Sequence, residues 1–252
     1  MNRRLRDWEG AYTNTEDAHR ALVDSFKNMV NQTPWLKEHR DFVERHVYGF
    51  GERSFHWLWK LLVDEMPQEF RFVEVGVYKG QVLSLIRLLA NRAGKQAQIT
   101  GVTPLSSFAG VTTQFQKFPE TDYLQHIKDL HEHFSLSFSE DQIVKGDSTS
   151  PETWTRVLPK GPFFDIVYVD GCHEYDFVVK DLMIYGSMVK KDGYLVVDDA
   201  SNFLKMYWGS FPGIEDVSRA VRDHIEGKPE WKEVLAVMHN RVFRRVEPAG
   251  IV

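Results

Sequence analysis

The stretch "FFDIVYVDGCHEYDFVVKDLMIYGSMVKKDGYLVVDDA", residues 163–200, decides the fold. Phe164 to Val169 is a run of strand formers that stops at Asp170, Gly171, Cys172, His173 and Glu174. Tyr175, Val178, Leu182 and Tyr185 then recur at helical spacing, and a second strand, "GYLVVDD", ends in Asp198 and Asp199. Strand, helix, strand is a βαβ unit, which requires parallel strands and turns right-handed. It brings Asp170 and the Asp198-Asp199 pair to the same edge of a sheet, on strands that can be neighbours about 5 Å apart.

The same rhythm extends outward. "FRFVEVGV" is a strand, "QVLSLIRLLANRAG" a helix closing at Gly94, and "AQITGVT" a strand. "TDYLQHIKDLHEHF" reads as a helix, "DQIVKGD" as a strand, and "SPETWTRVL" as a short helix with Ser150 as cap and Pro151 in its first position. Two last runs, "EVLAVM" and "RVFRRV", follow a helix near "GIEDVSRAVRDHI" and are separated only by His239-Asn240, so they form an antiparallel hairpin. The expected fold is α/β: a doubly wound, mostly parallel, seven-stranded Rossmann-like sheet with an antiparallel terminal strand. Residues 1–66 carry helical spacing and no strand signal, and form an N-terminal helical extension, a candidate lid or oligomer contact, to a sheet domain of residues 67–252.

With 42% hydrophobic and 13% aromatic residues among 252, the chain can fill a sizeable core. A net charge of −5, with no long Lys/Arg block, argues against nucleic acid as a partner. A single cysteine, Cys172, forms no internal disulfide and suits a reducing compartment. No apolar stretch reaches membrane-spanning length, so a soluble cytoplasmic protein is expected, with no membrane partner.

In "FVEVGVYKGQ", Gly76 and Gly80 either admit a ligand to the backbone or simply make a tight turn. Tyr78 stands where a dinucleotide fingerprint has its middle glycine, which points away from a pyrophosphate, and Glu74 suits a cation or hydroxyls. Asp170, Asp198 and Asp199 would repel one another unless protonated or neutralised by a divalent cation. Oxygen-only ligation points to Mg²⁺, or to Mn²⁺ or Ca²⁺, with Asn202 able to add an amide oxygen or bind substrate. The alternative is a helix cap and an Asp-Gly turn. His173, near a helix N-terminus, can serve as a neutral base or be a solvated residue. Cys172 reads as a small buried residue, Tyr175 as packing, and His131 with His133 as a solvated face. "VYGFGERSFHWLW" is core packing or a lid over a pocket.

Together "EVGVYKG", "VDGCHEYDFVVKDL" and "GYLVVDDA" resemble the class I S-adenosylmethionine-dependent methyltransferases, over about residues 70–246. Within them the chain is similar to the metal-dependent O-methyltransferases grouped with the macrocin and mycinamicin enzymes and the cephalosporin hydroxylase-like proteins. The resemblance implies S-adenosylmethionine as cofactor, with Glu74, Gly76, Tyr78 and Gly80 at its methionine end and backbone side and Asp147 and Ser148 by its adenine. Thr103 occupies the place of the family's ribose-binding carboxylate, offering a hydroxyl without charge. The resemblance also implies Mg²⁺ on Asp170, Asp198 and Asp199, held against two oxygens of a small hydroxylated acceptor, with His173 as general base and a homo-oligomer plausible. The function expected is metal-dependent O-methylation of a natural-product sugar or diol. A cephalosporin hydroxylase-like metal enzyme and a non-catalytic cofactor-binding partner are the rivals.

Overall fold

A computed structural model describes residues 4–106, 122–158 and 163–246. Seven strands form one sheet in the order β3-β2-β1-β4-β5-β7-β6. They are β1 (Glu69–Val75), β2 (Gln96–Thr103), β3 (Ile143–Lys145), β4 (Phe164–Val169), β5 (Val189–Val197), β6 (Trp231–Val237) and β7 (Asn240–Arg245). Strands β1 to β5 pair in parallel, and β7 runs antiparallel to both β5 and β6. The helices are α1 (Glu16–Gln32), α2 (Pro34–His46), α3 (Arg53–Glu65), α4 (Gln81–Arg92), α5 (Tyr123–His133), α6 (Pro151–Trp154), α7 (Tyr175–Ser187) and α8 (Glu215–His224). The topology is the doubly wound, Rossmann-like one expected from the alternation of periods. Among the described residues, no helix is long and apolar enough to cross a membrane.

Each strand alternates between two cores. On one face, Phe70, Phe72, Ile166, Tyr168, Tyr194 and Val196 pack with residues of α1, α3 and α4. On the other, Val73, Val75, Val167, Val169, Leu195 and Val197 pack with residues of α7 and α8. The N-terminal helices share the first core directly: Trp59 of α3, 1% exposed, sets its ring edge-on to Phe72 and Tyr168, with centroids 5.9 and 4.9 Å away. Burial of such a side chain contributes roughly 2–3 kcal/mol.

The structure corrects two local expectations. The hairpin turn is Met238-His239, because Asn240 already pairs with Val237 and Met238 takes the left-handed φ of +50°. His131 is not on a solvated face: it is buried and its Nδ1 lies 2.7 Å from Ile127 O, while His133 stacks on Phe42. The "HEH" spacing let one histidine of the two turn inward, as alternate helix positions diverge.

A polar network ties the N-terminal helices to α4. His39 Nδ1 lies 2.9 Å from His56 Nε2, and His39 Nε2 lies 3.0 Å from Ser84 Oγ, all fully buried. Burial, with Arg40, His131 and His133 nearby, pushes the His39 imidazole down to about 3. The unfolded chain takes up a proton near pH 6.5 that the folded chain refuses, so this histidine's contribution is complete above that pH and is lost as pH falls toward 3. Between pH 7.5 and 5, urea melts are expected to show wild type losing about 2 kcal/mol more than a His39→Gln variant. Equal losses would contradict the neutral buried imidazole.

Candidate active site at the carboxyl edge of the sheet

The alternation that builds the first core also places three acids. Phe72 precedes Glu74 by two residues, Tyr168 precedes Asp170, and Val196 precedes Asp198, so all three carboxylates continue the face turned toward the N-terminal helices. Register sets Glu74 beside Tyr168, and Val169 beside Val197, which brings Asp170 level with Asp198. Asp170 N donates to Val75 O at 2.8 Å, and Asp198 N donates to Val169 O at 3.0 Å.

Strict alternation would send Asp199 to the opposite face. Its left-handed φ of +55° turns it back. Gly213, at φ +96°, lies against this kink: a Cβ there would stand 2.4 Å from Asp199 O, and Ile214 N donates to the same carbonyl at 2.9 Å. Ala200 N donates to His239 O at 2.8 Å, drawing the β6–β7 turn against the acids.

His239 is the residue that sequence reasoning missed. Its Nδ1 lies 2.8 Å from Asp199 Oδ1 and 3.0 Å from Asp198 Oδ1, but its ring N–H is not aligned for a hydrogen bond with either. The three ligand-capable atoms all lie within 4.8 Å of one another. Asn240 Nδ2 donates to Asp198 Oδ1 at 2.6 Å. A signal for His239 existed in the sequence: a hairpin whose last strand is antiparallel must put its turn on the edge where the parallel strands end.

The electrostatics follow from packing acids together out of water. Burial, then the charges of Asp198 and Asp199, push Asp170 well above the carboxylate range, and Tyr168 Oη donates to its Oδ2 at 3.1 Å. Burial pushes Asp198 up as well, but the His239 imidazole outweighs it and holds that carboxyl below its usual value. In turn burial draws His239 down, and the two aspartates more than offset this, lifting it to about 10. Glu74 is pushed up by burial, and its Oε2 has no hydrogen-bond partner within the protein.

His173 precedes the first residue of α7 by two, with Glu174 as the N-cap, and its Nε2 lies 3.4 Å from Asp199 Oδ2. A carboxylate thus stands beside this imidazole near the helix terminus. Cys172, expected to be buried, is only partly so and lines the cavity, and its partial burial raises the thiol, which favours the protonated form. Tyr175 packs between α7 and α8, its hydroxyl donating to Asp223 Oδ2 at 3.0 Å.

These groups open onto a cavity of about 430 Å³, within the range of small-molecule sites. Glu74, Gly76, Tyr78, Thr103, Asp147, Ser148, Asp170, His173, Asp198 and Asp199 all line it. Gly80 and Asn202 do not: Gly80 caps α4 at φ +83°, where a Cβ would meet Ile127 at 3.0 Å, and Asn202 N donates to Ser218 Oγ. Gly76 lines the wall, yet the space its missing side chain leaves is filled by protein, since a Cβ would lie 1.9 Å from Asp170 O. Thr103 Oγ1 donates to Val77 O at 3.1 Å and accepts from Leu105 N, bracing the glycine turn. Asp147 Oδ1 accepts from Thr149 N at 2.9 Å, leaving its other oxygen out of that turn. The N-terminal segment supplies Tyr48, Gly49, Phe50 and Gly51 to the wall, joined by Phe55 and Phe211.

A doubly wound sheet of this order places its ligand-binding crevice outside the carboxyl ends of the strands, where the glycine turn after β1 and the acids after β4 and β5 lie. A methyltransferase-domain family model matches residues 73–200, which is half of the chain. The chain belongs to that methyltransferase-domain family. It is 28% identical over 169 residues to the uncharacterized protein R132 of Acanthamoeba polyphaga mimivirus, covering 64% of this chain and 66%, just under two thirds, of that protein's length. A candidate caffeoyl-CoA O-methyltransferase of Staphylococcus aureus shares the fold with a TM-score of 0.59 at 14% identity, over 88% of this chain and 99% of that one. The SAH-bound methyltransferase PaMTH1 of Podospora anserina does so with a TM-score of 0.52 at 13% identity, over 96% and 93%.

A Gly76→Ala variant combines a left-handed φ with a clash against the β4 backbone, so it is expected to cost about 3 kcal/mol and to displace Asp170. Urea unfolding together with S-adenosylhomocysteine titration checks this. Unchanged stability and binding would mean that β1 and β4 do not close on each other as described.

Proposed function

We propose that the protein is a divalent-metal-dependent O-methyltransferase acting on a small hydroxylated acceptor, a natural-product sugar or a diol. The observation that carries this is the convergence of Asp170, Asp198 and Asp199, with His173 beside Asp199, on the cavity that also contains the glycine turn. S-Adenosylmethionine would supply an electrophilic methyl group on a sulfonium. Glu74 fits its cationic end: a buried carboxyl oxygen without a protein partner lines the cavity there. Asp147 and Ser148, at the end of β3, line the same cavity and are assigned to the adenosine, with Thr103 shaping the turn between them and Glu74.

Asp170, Asp198 and Asp199 would hold Mg²⁺ or Mn²⁺, which would supply Lewis-acid activation of an acceptor hydroxyl. The acids suit a cation because burial together leaves them mutually repulsive, and a divalent charge keeps them ionised. His173 takes the acceptor's proton on its ring, and Asp199 Oδ2, 3.4 Å from Nε2, balances the imidazolium that results. Aromatic surfaces select a ring-bearing acceptor: Phe55 and Phe211 pack edge-on to His239, with centroids 4.8 and 5.2 Å away, and Phe50 packs on Tyr78 at 5.2 Å. The walls contributed by residues 48–51 exclude water from the reacting groups.

Calorimetric titration of S-adenosylmethionine and S-adenosylhomocysteine into the purified chain tests the cofactor assignment. Both are expected to bind with dissociation constants on the order of micromolar. A Glu74→Gln variant of unchanged circular dichroism should weaken S-adenosylmethionine about tenfold, through loss of one charge-assisted contact. Absence of binding in the wild type would sink the proposal, and an unaltered affinity in the variant would remove Glu74 from the cofactor site.

A further inference from the structure

We infer that His239 is a nitrogen ligand of the divalent cation, so that Asp198, Asp199 and His239 form a mixed donor set that favours a first-row transition ion such as Mn²⁺ over Mg²⁺. The inference rests on the metal-dependent reading above and changes its terms, because the aspartates alone make an oxygen-only site.

Distances carry the argument. Ligands in adjacent positions around an octahedral ion, each ~2.1 Å from it, lie about 3.0 Å apart. His239 Nδ1 stands 2.8 Å from Asp199 Oδ1 and 3.0 Å from Asp198 Oδ1. A histidine serving only as counter-ion would aim its N–H along one of those lines. Here neither line is a hydrogen bond, and the nitrogen has no other partner although the residue is only 6% exposed. A buried ring nitrogen without an aligned hydrogen bond is unfavourable. In its neutral form with the proton on Nε2, the imidazole would direct the Nδ1 lone pair at an ion shared with the two carboxylates.

The surroundings hold the ring in this pose. His239 O accepts from Ala200 N, directly after the acidic pair, and the rings of Phe55 and Phe211 pack edge-on to the imidazole. Asn240, the next residue, donates to Asp198 Oδ1 and so orients one carboxylate from the same turn. Asp170 adjoins the set through Asp198. Imidazole nitrogen bonds weakly to Mg²⁺ and well to the later divalent ions, so adding it to two carboxylates shifts preference along the transition series.

The test uses the full chain stripped with chelator, then titrated separately with Mn²⁺ and Mg²⁺. Mn²⁺ is expected to bind at least ~10-fold more tightly. Pulsed electron paramagnetic resonance of the Mn²⁺-loaded protein should show nitrogen hyperfine modulation. His239→Ala should abolish the modulation and most of the preference, His239→Asp should restore tight binding without the preference, and His173→Ala should leave both intact. Circular dichroism checks folding, and if both His239 variants fail to fold, modulation that persists in His173→Ala still supports the assignment. Mn²⁺ bound without nitrogen modulation, modulation retained in His239→Ala, or equal affinity for the two ions would overturn it. Failure of the methyltransferase reading is seen separately, as loss of S-adenosylhomocysteine binding.

Discussion

Carboxylates buried together repel one another, and the carboxyl edge of this sheet is organised around that conflict. Asp170, Asp198 and Asp199 meet where water is largely excluded, and the molecule answers with a raised Asp170, a lowered Asp198 and the imidazole of His239 pressed against the pair. Removing such acids to apolar residues would relieve the strain, since buried charge seldom stabilises a fold on balance. Their place at strand ends, beside a cavity, is what the proposed metal-assisted transfer would need.

The backbone supports that arrangement at a few unusual positions. Gly76 lacks a side chain so that the end of β4 can close on the end of β1, and Gly213 does the same for the loop that returns beneath Asp199. Asp199 itself holds a left-handed conformation, which costs on the order of 1 kcal/mol and moves a carboxylate from one face of the sheet to the other. Strand ends, the kink and the β6–β7 turn are thus one mechanical unit. A change in any of them alters the distances among the acids.

Much of this was legible from residue order. Period-two runs ending in Glu74, Asp170 and Asp198 placed those acids on one edge, and the brief link after "EVLAVM" required the antiparallel strand. What escaped was set by tertiary packing. Asn240 looks like a turn residue but spends its amide on Asp198, which moved the turn by one position and hid His239. Gly76 reads equally as room for a ligand or as a tight turn, and only the fold shows that β4 fills the room. The aromatic "VYGFGERSFHWLW" serves both ends: Trp57 sits in the core, Trp59 and Tyr48 are buried yet also line the cavity, and the half-exposed Phe50 walls it, a distribution that helical spacing alone does not report.

The N-terminal helices therefore join the chemistry to the fold. They complete the core under the sheet and wall the cavity at the strand ends, so the shape of the cavity and the stability of the fold draw on the same residues. The most direct measurement is transfer of isotopically labelled methyl from S-adenosylmethionine to a panel of catechols and sugar diols, with divalent metal and with chelator. The account predicts label on an acceptor oxygen only when metal is present, and its loss in Asp199→Asn. Label transfer that persists in chelator, or that survives in Asp199→Asn, would contradict it.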